Sequence, residues 1–344
     1  MRDLQRAIDT IAAETRFSGV VRVDGGDDVL VAKAYGFAHR GFGVANTVDT
    51  RFAIASGTKG FTALAVMSLI EEGRLSLTTT ARSVLGEDLP LIDDRVTVEQ
   101  LLAHRSGIGD YFDEDLERPI TDHVLEVPVH ELATIEDHLR VLDGYPAKFP
   151  PGERFSYCNG GYVVLALIAE RTVGTPYHDL VLQRVCAPAG MADTAFLRSD
   201  EVPGRTALGY LDTDGDGTNV LHLPVRGAGD GGISTTAADV ASFWTALFAG
   251  RIVSKDRVAD MVRPHSDVPA NGARYGLGFW LAASGDVVEL HGYDAGISFQ
   301  TEHDPNTRLT STVISNTSEG AWPIAEHLDE VFTPSGQWQP SNEK

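Results

Sequence analysis

Strand-like segments lie only near the two ends of this 344-residue chain. SGVVRVDGG and DVLVAKAYG, meeting at Gly25-Gly26-Asp27-Asp28, predict a hairpin of two strands. A third extended segment is expected around residues 37–40. RYGLGFWLAAS, DVVELH, ISFQTEHD and LTSTVISN predict strands again near the other end, with turn residues between them. From about residue 76 to 225 the pattern is mostly helical and rich in loops. Distant strands share one core most economically when both ends of the chain enter one sheet. The expected fold is therefore α+β: an antiparallel sheet from the N- and C-terminal segments, flanked by helices, with a mostly helical subdomain inserted. The boundaries expected are 1–75 and 226–335 for the sheet domain, 76–225 for the helical subdomain and 336–344 for a flexible tail. A cleft would lie between the two parts.

Helical periodicity is clear in several places. Leu4, Ala7, Ile8, Ile11 and Ala12 form an apolar stripe over residues 3–14. A long helix follows Ser56 to about Glu72, with Gly73 placed as its stop. VTVEQLLAH predicts a Thr-capped helix, and residues 134–143 another. GGYVVLALIAERTVG, YHDLVLQRVCAPAG, STTAADVASFWTALFAG and AWPIAEHLDEVF complete the set.

Composition narrows the function. With 42% hydrophobic and 22% charged residues, the chain can bury a sizeable core. A formal charge of −21 argues against nucleic acid or an anionic membrane surface as partner. No stretch of about 18 apolar residues occurs, so no membrane-spanning helix is expected. The N-terminal MRDLQRAIDTIAAETRF is amphipathic and lacks the apolar run of a signal peptide. Cys158 and Cys186 read as small buried hydrophobes in a reducing compartment. A cytoplasmic protein is expected.

Lysine is scarce: Lys33, Lys59, Lys148, Lys255 and Lys344. A lysine three residues after a serine therefore stands out. On a helix, Ser56 and Lys59 share one face. Ser56 would lie at the helix N-terminus, where backbone N–H groups favour developing negative charge. A serine hydroxyl needs such help and a nearby base, which a lysine shielded from water can become. Alone, the spacing is a weak signal, and in most chains it describes just an N-cap and a surface lysine. Tyr157 and Asn159 form a second element. A tyrosine beside an ammonium can titrate low enough to relay protons, and the asparagine amide offers donors and an acceptor to a substrate. The third element is His291-Gly292-Tyr293 after a strand. Its glycine lets a substrate backbone approach, and one of its N–H groups, with that of Ser56, could hold an oxyanion.

In this order the three elements resemble the active-site motifs of the serine beta-lactamase and penicillin-binding-protein superfamily. FAIASGTKGFTALAVMSLIEEGRLSL is similar to its nucleophile segment, VTVEQLLAHRSGI to the helix and turn that follow, and FPPGERFSYCNGGYVVLALIAE to its tyrosine segment. GAGDGGISTTAADVASFW is similar to a stretch near the cleft. The resemblance covers about residues 15 to 330 and is closest to the class C beta-lactamase, D,D-peptidase and esterase branch. It implies Ser56 as nucleophile, Lys59 and Tyr157 as proton handlers, and Asn159, His291, Gly292 and Tyr293 at the substrate. The family's Lys-Thr-Gly is replaced by His291-Gly292-Tyr293, which weakens the case for a beta-lactam carboxylate.

Asp212 to Gly217 has the start of a calcium-binding loop, but Leu223 stands where its last glutamate would be, so a polar turn is expected. His104 in LLAHRSG is expected to fix a turn. No metal and no cofactor are expected. The partner expected is a small ester, amide or peptide, with D-amino acids among the candidates. A weak beta-lactamase or D,D-carboxypeptidase and a catalytically silent binding protein remain as alternatives, and the oligomeric state is open.

Overall fold

The computed structural model describes residues 2–332 except 115, 117, 118, 270, 271 and 284. The tail expected over 336–344 lies outside the described residues. Helix α1 (Arg2–Thr15) leads into strands β1 (Gly19–Gly25) and β2 (Asp28–Tyr35), the expected hairpin. Near the other end come β3 (Ser266–Asp267), β4 (Arg274–Tyr275), β5 (Trp280–Leu281), β6 (Val288–Asp294), β7 (Ile297–Asp304) and β8 (Leu309–Ser315). All eight join in one antiparallel sheet of order β2-β1-β8-β7-β6-β5-β4-β3. The two ends of the chain meet where β1 pairs with β8, Gly19 opposite Ser315.

Alternation along the strands gives the sheet two apolar faces. Val21, Val23 and Val313 pack with Ile8 and Ala12 of α1 and with Ile324 and Leu328 of a last helix, Trp322–Phe332. Val20, Leu290, Phe299 and Ile314 face the larger core on the other side. There lie α2 (Thr58–Glu71) and α3 (Asn159–Val173). Both are apolar all round, as helices enclosed by protein must be. The faces of α2 meet the sheet, α3 and the helix Ala237–Phe248, whose Phe243 stacks on Phe61 at 4.7 Å.

The extended segment after β2 is a strand, Phe37–His39, but it pairs with Val44–Ala45 outside the main sheet. RYGLGFWLAAS forms two short strands rather than one, because Leu277 N–H leaves the ladder to bond Met261 O at 2.8 Å. Residues 134–143 form only a 3₁₀ turn, Glu136–His138, and the short helix Leu139–Leu142. The region 76–225 is not purely helical, since Ala195–Phe196 pairs with Ile233–Thr235, which also pairs with Phe52–Ala53. This small sheet carries the chain to Ser56. Both cysteines are buried and free. Among the described residues no helix is long and apolar enough to cross a membrane.

Candidate active site

Ser56 occupies a single 3₁₀ turn, Ala55–Gly57, at the head of α2. Ala55 has φ 42°, a left-handed conformation that costs an L-residue roughly 1–2 kcal/mol. The turn is fastened to the small sheet. Ile54 N–H donates to Ile233 O at 3.0 Å, and Ile233 N–H donates to Thr58 Oγ1 at 3.1 Å. From Ile54 to Ile70, Ser56 is the one residue that is not buried. The fold thus presents one hydroxyl at the end of an otherwise enclosed helix.

One turn along, Lys59 is 1% exposed. Its ammonium donates to Ser56 Oγ at 2.8 Å, Asn159 Oδ1 at 2.7 Å and Asp230 O at 3.0 Å. Those three bonds use every N–H that a lysine has. Asn159 opens α3 and is equally engaged. Its Nδ2 donates to Phe112 O and to Glu114 Oε1, both at 3.0 Å. Its backbone N–H donates to Asp110 Oδ2 at 2.6 Å, and Gly160 N–H to Asp110 Oδ1 at 2.8 Å. The amide expected to meet a substrate thus has both N–H groups and one acceptor site of Oδ1 engaged with the protein, and it holds Lys59 in place. Burial pushes the Asp110 carboxyl up to about 7, although the backbone donors favour its ionised form.

The Tyr157 hydroxyl lies near the Ser56 side chain, which favours the phenolate, and the Lys59 ammonium lies 4.8 Å from its ring centroid. The lowered phenol expected from that ammonium is not found. Burial and then the Glu114 carboxylate raise it well above the ordinary range, with Asp230 and Asp110 adding to the effect. The resting group is a neutral phenol, suited to relay a proton rather than to stand as a ready phenolate.

The third element divides by the period of its strand. Leu290 and Gly292 face the nucleophile helix. A Cβ on Gly292 would stand 2.0 Å from Ile54 O, and one on Gly60 would stand 2.8 Å from Leu290 Cδ2. His291 lies on the other face, with Nε2 3.0 Å from Glu289 Oε2 and its ring 6.0 Å from Trp280. The Tyr293 hydroxyl donates to Glu319 at 2.8 Å, so its side chain turns toward the last helix and not toward Ser56. The side chain that points from β6 at α2 beside Gly292 is that of Leu290. Gly292 faces the nucleophile turn so closely that an added Cβ would meet Ile54 O and Gly57 N.

Sequence reasoning missed Asp230, Tyr111, Asp110, Glu114 and Trp280. Tyr111 donates its hydroxyl to Asp230 Oδ2. Asp294 also belongs to this surround, and burial, with Asp230 nearby, pushes its carboxyl up to about 7. Trp280 stacks on Tyr157 at 5.8 Å and 14°. The phrase GAGDGG carried a signal for Asp230. The loop 105–114 had no periodicity to mark its acids. Among the described residues no cluster of His, Cys, Asp and Glu could hold a metal ion.

A turn-borne serine under a three-bonded lysine, between a two-faced antiparallel sheet and a helical region, defines the serine hydrolase class of beta-lactamase-like folds. The chain belongs to the beta-lactamase family, whose model matches residues 4–332. It is similar to a penicillin-binding protein from Bacillus halodurans, with TM-score 0.88 and 34% identity over 94% of this chain and 99% of that one. A D-amino acid amidase from Ochrobactrum anthropi shares the fold at TM-score 0.77 and 26% identity, over 96% of this chain and 98% of that one. A D-aminopeptidase from Brucella anthropi is 28% identical over 323 residues, 91% of this chain but 58% of that protein.

Proposed function

We propose that this protein hydrolyses small amides and esters, amino acid amides and short peptides of D-configuration among them, through an acyl group on Ser56. The observation that carries the reading is the 2.8 Å bond from Lys59 to Ser56 Oγ, with the Tyr157 ring 4.8 Å from the same ammonium. In the reacting form the Lys59–Tyr157 pair has first given one proton to solvent, and Ser56 Oγ bonds to the carbonyl carbon as its own proton passes to the vacated site on that pair. Two coupled groups titrate as a unit, so the proton belongs to the pair rather than to either member. The C–N or C–O bond then breaks, the leaving group takes that proton, and water repeats the steps on the acyl-serine.

Backbone geometry supports one oxyanion donor. Ala282 N–H donates to Val287 O at 3.1 Å, so residues 287, 289, 291 and 293 aim their backbone groups toward the β5 side. Among the described residues β5 pairs with Val288 and Glu289, and no strand pairs with β6 on that side past Glu289. Tyr293 N–H is the outward group next to Gly292, and with Ser56 N–H it would cradle the oxyanion.

Charge supports the substrate class. Asp110, Glu114, Asp230 and Asp294 act together on Tyr157, Tyr111 and one another. Such a surround favours a substrate with a free ammonium over one with a carboxylate. This sets the D-aminopeptidase and amidase relatives ahead of beta-lactam hydrolysis and of D,D-carboxypeptidase action.

The test is a panel of p-nitrophenyl esters, D- and L-amino acid amides, a D-Ala-D-Ala peptide and a chromogenic cephalosporin, with Ser56→Ala as blank. Turnover of the amides or esters by wild type alone supports the reading. Hydrolysis unchanged in Ser56→Ala would overturn it and favour a silent binding protein.

A further inference from the structure

Tyr157 meets the nucleophile only if its ring is held, and its own backbone segment, Phe155–Cys158, has no regular structure. What holds it comes from elsewhere. His104 follows the capped helix Val98–Leu102 and has φ 54°, a left-handed conformation at a residue with a bulky side chain. Its carbonyl accepts from Ser156 N–H at 2.9 Å. Its Nδ1 accepts from Cys158 N–H at 3.0 Å. These bonds clasp the backbone on both sides of Tyr157, and the imidazole lies on the Tyr157 ring, 4.3 Å between centroids and tilted by 33°.

A backbone N–H can only donate, so Nδ1 carries no proton and the neutral ring has its hydrogen on Nε2. Nε2 has no hydrogen-bond partner. The ring is enclosed by Tyr162 at 5.0 Å, Tyr275 at 4.8 Å and Phe155 at 5.8 Å. His104 is 1% exposed, and burial, with the Lys59 ammonium nearby, drives its pKa well below the ordinary value. A fastener of the turn alone would need one carbonyl and one side-chain acceptor for these two N–H groups, and no aromatic face. The ring instead completes the packing of Tyr157, together with Trp280.

We infer that His104 is a positioning residue: as a neutral imidazole it sets the angle of the Tyr157 ring and so keeps the phenol on Ser56. The inference rests on the reading of Tyr157 as a proton handler. The charged or titratable groups around that phenol are Lys59 and the carboxylates Glu114, Asp230 and Asp110. The His104 ring bonds none of them, since Nδ1 accepts from Cys158 N–H and Nε2 has no hydrogen-bond partner, so the ring contact is the separable variable.

The experiment compares His104→Asn, His104→Gly and Tyr157→Phe in the full chain. Asparagine tolerates the left-handed backbone and keeps an acceptor for Cys158 N–H, but has no ring. His104→Asn is expected to fold with nearly unchanged Tm and to lose about tenfold or more in kcat, with KM little altered. Its pH–kcat/KM profile is expected to shift, because the phenol is no longer fixed. Free imidazole added to His104→Gly is expected to restore part of kcat. Wild-type kcat and pH profile in His104→Asn would overturn the inference. So would a failure to fold in His104→Asn together with no imidazole rescue in His104→Gly, since that outcome assigns His104 to the turn. Full activity in Tyr157→Phe would instead overturn the reading beneath it, and the two failures are thereby distinguished.

Discussion

Lys59 Nζ and Asn159 Oδ1 lie 2.7 Å apart across 100 residues of chain. The bond joins the head of α2 to the head of α3, and it fixes the ammonium that bonds Ser56. Asn159→Leu removes the acceptor and leaves a buried ammonium one partner short. A hydrogen bond to a charged group contributes about 1.5–3 kcal/mol, so urea unfolding is expected to show a loss of about 2 kcal/mol. Ester turnover is expected to fall about 10²-fold, because Lys59 is freed to move by an ångström or more. Unchanged stability in that variant would show that the bond is not formed in solution.

Ser56 and Lys59 are expected to fail differently. Ser56→Ala should abolish covalent labelling by a fluorophosphonate while leaving the far-UV spectrum intact. Lys59→Met keeps the nucleophile but removes its proton acceptor, and is expected to slow labelling by about 10²–10⁴-fold. Labelling of Lys59→Met at the wild-type rate would remove the lysine from the proton path.

Gly292 is a steric prediction. A methyl group there meets Ile54 O at 2.0 Å and Gly57 N at 3.3 Å, both backbone atoms of the nucleophile turn. Gly292→Ala is expected to cost about 1–3 kcal/mol by overpacking and to reduce kcat about 10²-fold by displacing Ser56. Gly204→Ala is the control, since nothing lies within 4 Å of a Cβ there. If Gly292→Ala matched that control in both Tm and kcat, the close approach of strand to turn would be wrong.

Much of this was legible in the residues, for physical reasons. Strand alternation and helix periodicity report burial directly, so β1, β2, β6, β7, β8, α1, α2 and α3 fall where the patterns place them. Ser56 and Lys59 could be joined because i, i+3 on a helix is a fixed geometry. Tyr157 needed the resemblance, since no local rule brings it to Ser56. What the residues did not reveal depends on loops and on faces. The reversal of Tyr157's pKa comes first from burial and then from Glu114, Asp230 and Asp110, which reach it through irregular backbone. The roles of His291 and Leu290 turn on which parity of β6 faces α2. A motif read as three letters does not state that parity, whereas the close approach at Gly292 does.

Asp110 ties the site to the stability of the fold. Burial holds its carboxyl at about 7, against the ordinary 3.8. Between those values the native state keeps a proton that the unfolded chain has lost. The native state therefore binds more protons, and stability falls as pH rises from about 4 through 7. Asp294, also near 7, contributes with the same sign. Asp93, held at about 2 by Arg95, acts oppositely but only below pH 4, where its stabilisation is lost as the pH falls toward 2. Unfolding by urea at about pH 5 and at about pH 8 is expected to show the wild type weaker at the higher value. Asp110→Asn should flatten part of that slope, and Asp110→Asn with Asp294→Asn more of it. The amide cannot ionise, and its oxygen still accepts from the head of α3. A slope identical in wild type and the double variant would place its source elsewhere, leaving Glu302 and Asp329, two further carboxyls raised by burial, as the groups to replace next.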